Sequence, residues 1–196
     1  MALEGELVIL REERHEDQRL FVELRNDLGT QGWNVALPPT YTVGMYVKRL
    51  EAMEFSYERD SARLSVVHKE TGELAGYVTY SDVEPRIGAT IGIAIAKPFW
   101  GSGVAFDAQE VLLRFLFLEL GLRVVHLWSH SGNLRALGLA EKAGFRICGR
   151  VREGMYKNGR LLDTVVMSVV REEYFALHPE FEDLLPAPVS PPTAIG

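Results

Sequence analysis

Residues 90–108 read Thr90-Ile-Gly-Ile-Ala-Ile-Ala-Lys-Pro-Phe-Trp-Gly-Ser-Gly-Val-Ala-Phe-Asp-Ala108. The run is uncharged as far as Lys97-Pro98, carries Gly101 and Gly103, and then passes into apolar residues at helical spacing. It reads as strand, glycine turn, helix. Such a turn leaves backbone N–H groups unpaired at a helix N-terminus, where they and the helix dipole can hold phosphate or another anion. The same glycines also suit an ordinary tight turn. Familiar phosphate and nucleophile signatures fail here. A dinucleotide fingerprint needs Gly or Ala where Phe106 stands, no Gly-Lys-Ser/Thr follows for a P-loop, and Ser102 sits directly between its glycines, too close for a nucleophile elbow.

Working outward, residues 62–69 and 73–82 alternate around the turn Glu70-Thr71-Gly72, and Glu84-Pro85-Arg86-Ile87-Gly88 leads into the strand 89–96. This is an antiparallel meander. After the glycine turn, Ala108, Val111, Leu112, Phe115 and Leu118 or Glu119 keep the helical repeat until Gly121. A fifth strand over 123–130, a helix over 133–143 and a sixth strand over 145–156 follow, and Asn158-Gly159 turns the chain back into 161–170. Upstream, residues 6–11 form a first strand. Leu20, Phe21, Leu24 and Leu28 mark a helix with Gly29 as its C′ stop, and Thr42 caps a second helix after the Pro38-Pro39 loop. The order lacks the alternation of a doubly wound sheet. Residues 1–184 are expected to form one domain, and 185–196 a flexible proline-rich tail.

Composition narrows the classes. The chain has 196 residues, 47% of them apolar, enough to bury the core of one domain. No uncharged run is long enough to span a membrane and residues 1–15 carry charges throughout, so a soluble cytoplasmic protein with no membrane partner is expected. Cys148 alone forms no internal disulfide, lacks the Cys and His companions of a metal site, and is expected to be a small buried residue. A net charge of −6 argues against nucleic acid as a partner.

Three segments together resemble one family, the Gcn5-related N-acetyltransferases (GNAT), and within it the branch that acetylates N-termini of ribosomal proteins. The resemblance covers roughly residues 5–174. The family's Arg/Gln-x-x-Gly-x-Gly/Ala falls on Trp100-Gly101-Ser102-Gly103-Val104-Ala105, with Trp100 in place of Arg or Gln. Asn133-Leu-Arg-Ala136-Leu-Gly-Leu-Ala-Glu141-Lys142-Ala-Gly144-Phe145 is similar to its Asn-x-x-Ala-x-x-Leu-Tyr-Glu-Lys-x-Gly-Phe, and Tyr156-Lys-Asn-Gly-Arg-Leu-Leu-Asp163 to the branch's closing hairpin. The resemblance implies an α+β GNAT fold: a mostly antiparallel mixed sheet of about seven strands, helices on both faces, and a splayed parallel pair formed by the fourth and fifth strands. It implies acetyl-CoA as co-substrate and no metal. Trp100, Gly101, Ser102, Gly103, Val104, Ala105, Phe106 and Lys142 would bind its phosphate end, with Ile93, Ala94, Ile95 and Asn133 along the pantetheine.

The implied reaction moves an acetyl group to a primary amine, of a protein N-terminus or a small molecule. The amine must lose a proton, and the leaving thiolate benefits from gaining one. Proton donors that the family uses are replaced here by Ala136 and Ala140, and its carboxylates by Thr90 and Trp128. His130 remains as a candidate base, sharing one side of its strand with His126 and Trp128, or else bonding a loop carbonyl. Asn133 either bonds the pantetheine or caps its helix, and Tyr156 is a candidate donor to the thiolate. Trp33, Tyr41 and Tyr46 are candidates to shape the acceptor site. The missing acids also admit a non-catalytic acyl-CoA-binding or sensing module. A homodimer through the closing hairpin and fifth strand is compatible with the pattern, which does not require one.

Overall fold

The alternating aliphatic segments build one mixed sheet of eight strands, described by a computed structural model for residues 2–29, 42–54 and 60–184. The strands are β1 (Ala2–Glu4), β2 (Val8–Glu12), β3 (Ala62–His68), β4 (Leu74–Glu84), β5 (Gly88–Ile95), β6 (Val124–His130), β7 (Arg146–Lys157) and β8 (Arg160–Val170). The helices are α1 (Gln18–Asn26), α2 (Val43–Glu54), α3 (Val104–Arg114), α4 (Leu134–Lys142) and α5 (Arg171–Ala176). Spatial order is β1-β2-β3-β4-β5-β6-β8-β7, and β5 with β6 is the parallel pair. The expected strands 89–96 and 123–130 are therefore the central ones, and the α+β architecture holds. The strand count does not. The eighth strand is β1, whose few residues pair from Ala2↔Arg11 to Glu4↔Ile9 and are too short to show a periodicity.

Helices cover both faces. Val104, Ala108, Val111 and Leu112 of α3 pack with Val8, Leu10, Val66, Val78, Ile91 and Ile95 in the main core. On the other face Phe21 of α1 meets the rings of Tyr46 from α2 and Tyr77 from β4 at 6.5 and 5.0 Å. The helix after the glycine turn finishes in a π-helical turn, Phe115–Glu119, before Gly121 turns left-handed. Ala108, Val111 and Leu112 are buried as the repeat requires, but the wider turn rotates the apolar face beyond them, so Leu116 and Phe117 are buried there while Phe115 and Leu118 are only partly covered.

Local chemistry overturns two further expectations. α1 stops at Asn26, and Gly29 is not its C′ residue. The Asp27 carboxylate accepts the Gly29 N–H at 2.8 Å and pairs with Lys97 Nζ at 2.7 Å, which draws the chain off the helix toward the end of β5 and leaves Leu28 exposed. Cys148 is exposed rather than buried, because it lies on the edge strand β7. Thr42 does cap α2, its hydroxyl accepting the Met45 N–H at 3.2 Å. Trp33, Tyr41, the Pro38-Pro39 loop and the tail 185–196 lie outside the described residues. Among the described residues no helix is long and apolar enough to cross a membrane.

Buried polar bonds pin the sheet to its outer elements. The carboxylate of Asp107, in the first turn of α3, accepts the N–H groups of Glu6, Leu7 and Val8 at 3.0, 2.7 and 2.9 Å and so anchors the β1–β2 turn. Asp17 is buried and accepts two bonds from the Arg11 guanidinium, at 2.6 and 2.9 Å. Ser65 Oγ and the Arg14 N–H add bonds at 2.6 and 2.8 Å. Burial is the largest influence on the Asp17 carboxyl and pushes its pKa up, but the Arg11, Ser65 and Arg14 bonds together outweigh it and hold the group below the usual carboxylate range.

Breaking this pair by Asp17→Ala is expected to cost about 3–5 kcal/mol in urea unfolding at neutral pH, since Arg11 keeps an unpaired charge. The carboxyl's stabilising effect is complete above its unfolded pKa of about 3.9 and is lost as pH falls through the lower folded value. The difference between wild type and variant therefore narrows in acid.

Candidate active site

Backbone pairing of β5 runs out on one side before the strand ends. The Ala96 N–H donates to the Ala75 carbonyl at 2.8 Å, which sets the ladder's phase: Gly92 and Ala94 bond toward β4, while Ile91, Ile93 and Ile95 turn toward β6. The parallel ladder extends only from Gly88↔Val124 to Ile91↔Leu127. Beyond it β5 follows β4 to Ile95↔Gly76, and β6 follows β8 to His130↔Thr164. The sheet opens into a wedge, and the backbone of Ile93 and the N–H of Ile95 face the gap. Trp100 closes off the remaining group, its indole N–H donating to the Ile95 carbonyl at 2.7 Å. Peptide groups without a strand partner call for water or a ligand.

The glycine turn sits at the wide end. Gly101 and Gly103 hold φ of 78° and 91°, left-handed values that a side chain would strain. Ser102 Oγ donates to the Phe99 carbonyl at 2.8 Å, and the first bond of α3 runs from the Asp107 N–H to the Gly103 carbonyl at 3.0 Å. The Ala105 and Phe106 amides precede that bond at the positive end of the helix dipole. Two cations flank them: the Arg135 guanidinium lies 3.6 Å from the centre of the Trp100 ring, and Lys142 Nζ 3.9 Å from that of Phe106. Asp107, the acidic residue of that first turn, is committed to the β1–β2 turn. Amides and cations together suit a polyanion.

On the other side of the wedge lies a pocket of about 490 Å³. His130, Gly132, Asn133 and Arg135 line it from the β6–α4 junction, Lys157, Asn158, Arg160 and Leu162 from the closing hairpin, and Gly29 from beyond α1. His130 is 6% exposed, and its buried Nδ1 has no hydrogen-bond partner among the described residues. Burial first, and the charge of Lys157 second, lower its pKa below the ordinary imidazole value, which leaves it neutral near pH 7. Asn133 caps α4, its Oδ1 accepting the Ala136 N–H at 3.4 Å, and its Nδ2 donates to the buried Ser129 Oγ at 3.1 Å. Each amide end keeps bonding capacity beyond these contacts.

The fold thus gathers Ile93 and Ile95 at the gap, Trp100 to Phe106 with Lys142 at the turn, and His130 with Asn133 at the pocket, whereas the backbone of Ala94 is turned away from the gap toward β4. Tyr156 stands apart. It pairs with Leu161 whereas His130 pairs with Thr164, and side-chain alternation along β8 puts those partners on opposite faces; Tyr156 is also 64% exposed. Tyr46 is buried and donates to Glu13, so it belongs to the packing under α2. Arg135, Lys157 and Arg160 are site residues that the sequence did not single out. The last two flank Asn158-Gly159, whose φ values of 50° and 76° make the tight hairpin turn and set Lys157 opposite Arg160. The hairpin was legible, but its docking beside His130 is a long-range fact.

Residues 8–146 match the family model described as an acetyltransferase (GNAT) domain. The chain is 30% identical over 130 residues to the SPbeta prophage-derived uncharacterized N-acetyltransferase YokL of Bacillus subtilis, covering 65% of this chain and 72% of that protein. It is 33% identical over 104 residues to the putative ribosomal N-acetyltransferase YdaF of the same species, covering 53% and 57%. Among solved structures, a spermidine N-acetyltransferase from Vibrio cholerae in complex with CoA and spermine superposes with a TM-score of 0.78 at 23% identity, over 86% of this chain and 98% of that one.

The turn can be tested at Gly101, where an added Cβ meets no protein atom within 4 Å, whereas at Gly103 it would lie 3.0 Å from Leu7 Cδ1. Gly101→Val is expected to leave the far-ultraviolet circular dichroism spectrum unchanged and to weaken coenzyme A binding, measured by calorimetry, by about tenfold or more.

Proposed function

Because this chain belongs to the GNAT family and is an N-acetyltransferase, we propose that it transfers the acetyl group of acetyl-CoA to a primary amine by direct attack, with both substrates meeting in the wedge between β5 and β6. The observation that carries this reading is the edge of β5 at Ile93 and the Ile95 N–H, which has no β6 partner among the described residues and lies between the glycine turn and a pocket holding the buried His130 Nδ1, itself without a hydrogen-bond partner among those residues.

Each end of the wedge has its own task. The Ala105 and Phe106 amides, with Arg135 and Lys142 beside them, take the phosphates. Ile93 and Ile95 offer backbone bonds along the pantetheine and toward the thioester oxygen, and Asn133 offers its spare amide capacity from the β6 side. Acetyl-CoA supplies an activated acyl carbon. The amine nitrogen forms the new C–N bond as the C–S bond breaks, and the amine proton passes to His130 Nδ1 directly or through one water. The thiolate leaves toward solvent, because Tyr156 lies on the far face and Ala136 and Ala140 carry no proton. No observation favours the non-catalytic alternative, which the proton donors missing at Ala136 and Ala140 had prompted.

The relatives' names point to different acceptors, one ribosomal and one a polyamine, so the amine's identity rests on the pocket. Activity requires neutral His130. The corresponding rise in kcat/KM with pH is therefore expected below the ordinary imidazole value of about 6.5, apart from the limb due to the acceptor amine near about 8 to 10. His130→Gln is expected to remove the acid limb and lower kcat by about a hundredfold in a thiol-release assay. An unchanged rate and pH profile would remove His130 as the base.

A further inference from the structure

Two aromatic rings bracket the glycine turn, and each carries a cation from α4. Trp100, directly before Gly101, has the Arg135 guanidinium 3.6 Å from its ring centre, and Phe106, in the first turn of α3, has Lys142 Nζ at 3.9 Å. Only one of these cations sits against its helix. Lys142 lies in the last turn of α4, where the dipole favours a positive charge, but Arg135 is the second residue of that helix, at the dipole's positive end. Arg135 also makes no ion pair or hydrogen bond among the described residues. Its seat is nevertheless well fixed. The Trp100 indole N–H donates to the Ile95 carbonyl at 2.7 Å and the Trp100 backbone N–H to the Lys97 carbonyl at 3.1 Å, while Asn133 caps the start of α4 and bonds the buried Ser129. The Trp100–Arg135 contact therefore links the end of β5 to the helix that follows β6.

We propose that Trp100 is a positioning residue for the cofactor: its ring holds the Arg135 guanidinium ready at the glycine turn, where the guanidinium bonds a phosphate of acetyl-CoA. This rests on the transferase reading and adds to it the side chain that places the charge. A guanidinium has five N–H donors and no acceptor, and it can rest its face on an aromatic ring while its N–H edge makes a bidentate contact with phosphate. Lysine offers no such planar fork. An anion bonded at this place also offsets the unfavourable position of Arg135 at the start of α4. Holding a long side chain in place before the ligand arrives removes part of the cost of ordering it on binding. The ring contact is the smaller of the two effects, a factor of about two to five in affinity for an exposed pair, against about tenfold for the charge-assisted phosphate bond.

The test measures binding of CoA and of 3′-dephospho-CoA by calorimetry, at low and high salt, in wild type, R135Q, W100L, W100F and the W100L/R135Q double variant, each checked for folding by circular dichroism. R135Q is expected to weaken CoA about tenfold and to flatten the salt dependence, and W100L to weaken it about two- to fivefold. Added to R135Q, W100L should cost less than about twofold more, and W100F, which keeps a ring and loses the indole N–H, should bind within about twofold of wild type. Equal R135Q losses with both ligands place the guanidinium on the diphosphate, and a loss confined to CoA places it on the 3′-phosphate. Additive losses in the double variant, or W100F binding as weakly as W100L, would overturn the inference, because Trp100 would then act through its bond to Ile95. So would R135Q binding both ligands as wild type does, with the transferase reading left standing. Wild type that binds no CoA would defeat that reading and this inference with it.

Discussion

The last rung between β5 and β6, Ile91↔Leu127, is the constraint on which the rest depends. Past it each strand stays with its outer neighbour, so the sheet carries one row of peptide groups that no strand can satisfy. Leaving such groups buried and unpaired is costly, and natural folds avoid it by supplying a partner. One of the exposed groups is closed internally by the Trp100 indole, which at the same time seats Arg135 over the ring. A single side chain thereby joins the edge of the wedge to the charge at its mouth. This gives a physical role to the position where the family pattern has Arg or Gln: the cation arrives from α4 instead of from the turn itself.

The surroundings hold that opening in place. Asp107 ties α3 to the β1–β2 turn beneath Gly103, and the Asp27 pair with Lys97 ties the end of α1 to the end of β5. Under α2, Tyr46 donates to Glu13 while Arg63 donates to the Tyr46 oxygen and lies over the rings of Phe21, Tyr46 and Tyr77. Burial pushes the Glu13 carboxyl up, against the bond from Tyr46 and the charge of Arg63. These polar groups bond one another, the buried Arg63 Nε apart, and fix the helical layer against β4, which borders the wedge through Tyr77↔Ala94.

Sequence reasoning reached the wedge because its parts are local. A glycine turn, an uncharged strand and an Asn at a helix start each leave a short-range pattern, and those segments fall where the pattern placed them. What it missed depends on separation along the chain. Lys157 and Arg160 are ordinary hairpin cations until the fold sets them beside His130, and Arg135 is an ordinary helical arginine until it meets Trp100. Tyr156 failed for the opposite reason: proximity in sequence to the closing turn suggested a role that strand alternation along β8 denies. Gly29 and Leu28 were assigned by helical spacing, yet the Asp27 carboxylate had already redirected the chain.

The most direct test is amide hydrogen exchange at Ile93 and Ile95, read residue by residue with and without acetyl-CoA. If the unpaired edge of β5 is the pantetheine's berth, the Ile93 and Ile95 amides slow by about tenfold or more on saturation, together with those of Ala105 and Phe106. Saturable binding that leaves the Ile93 and Ile95 amides exchanging at their free rates would contradict it.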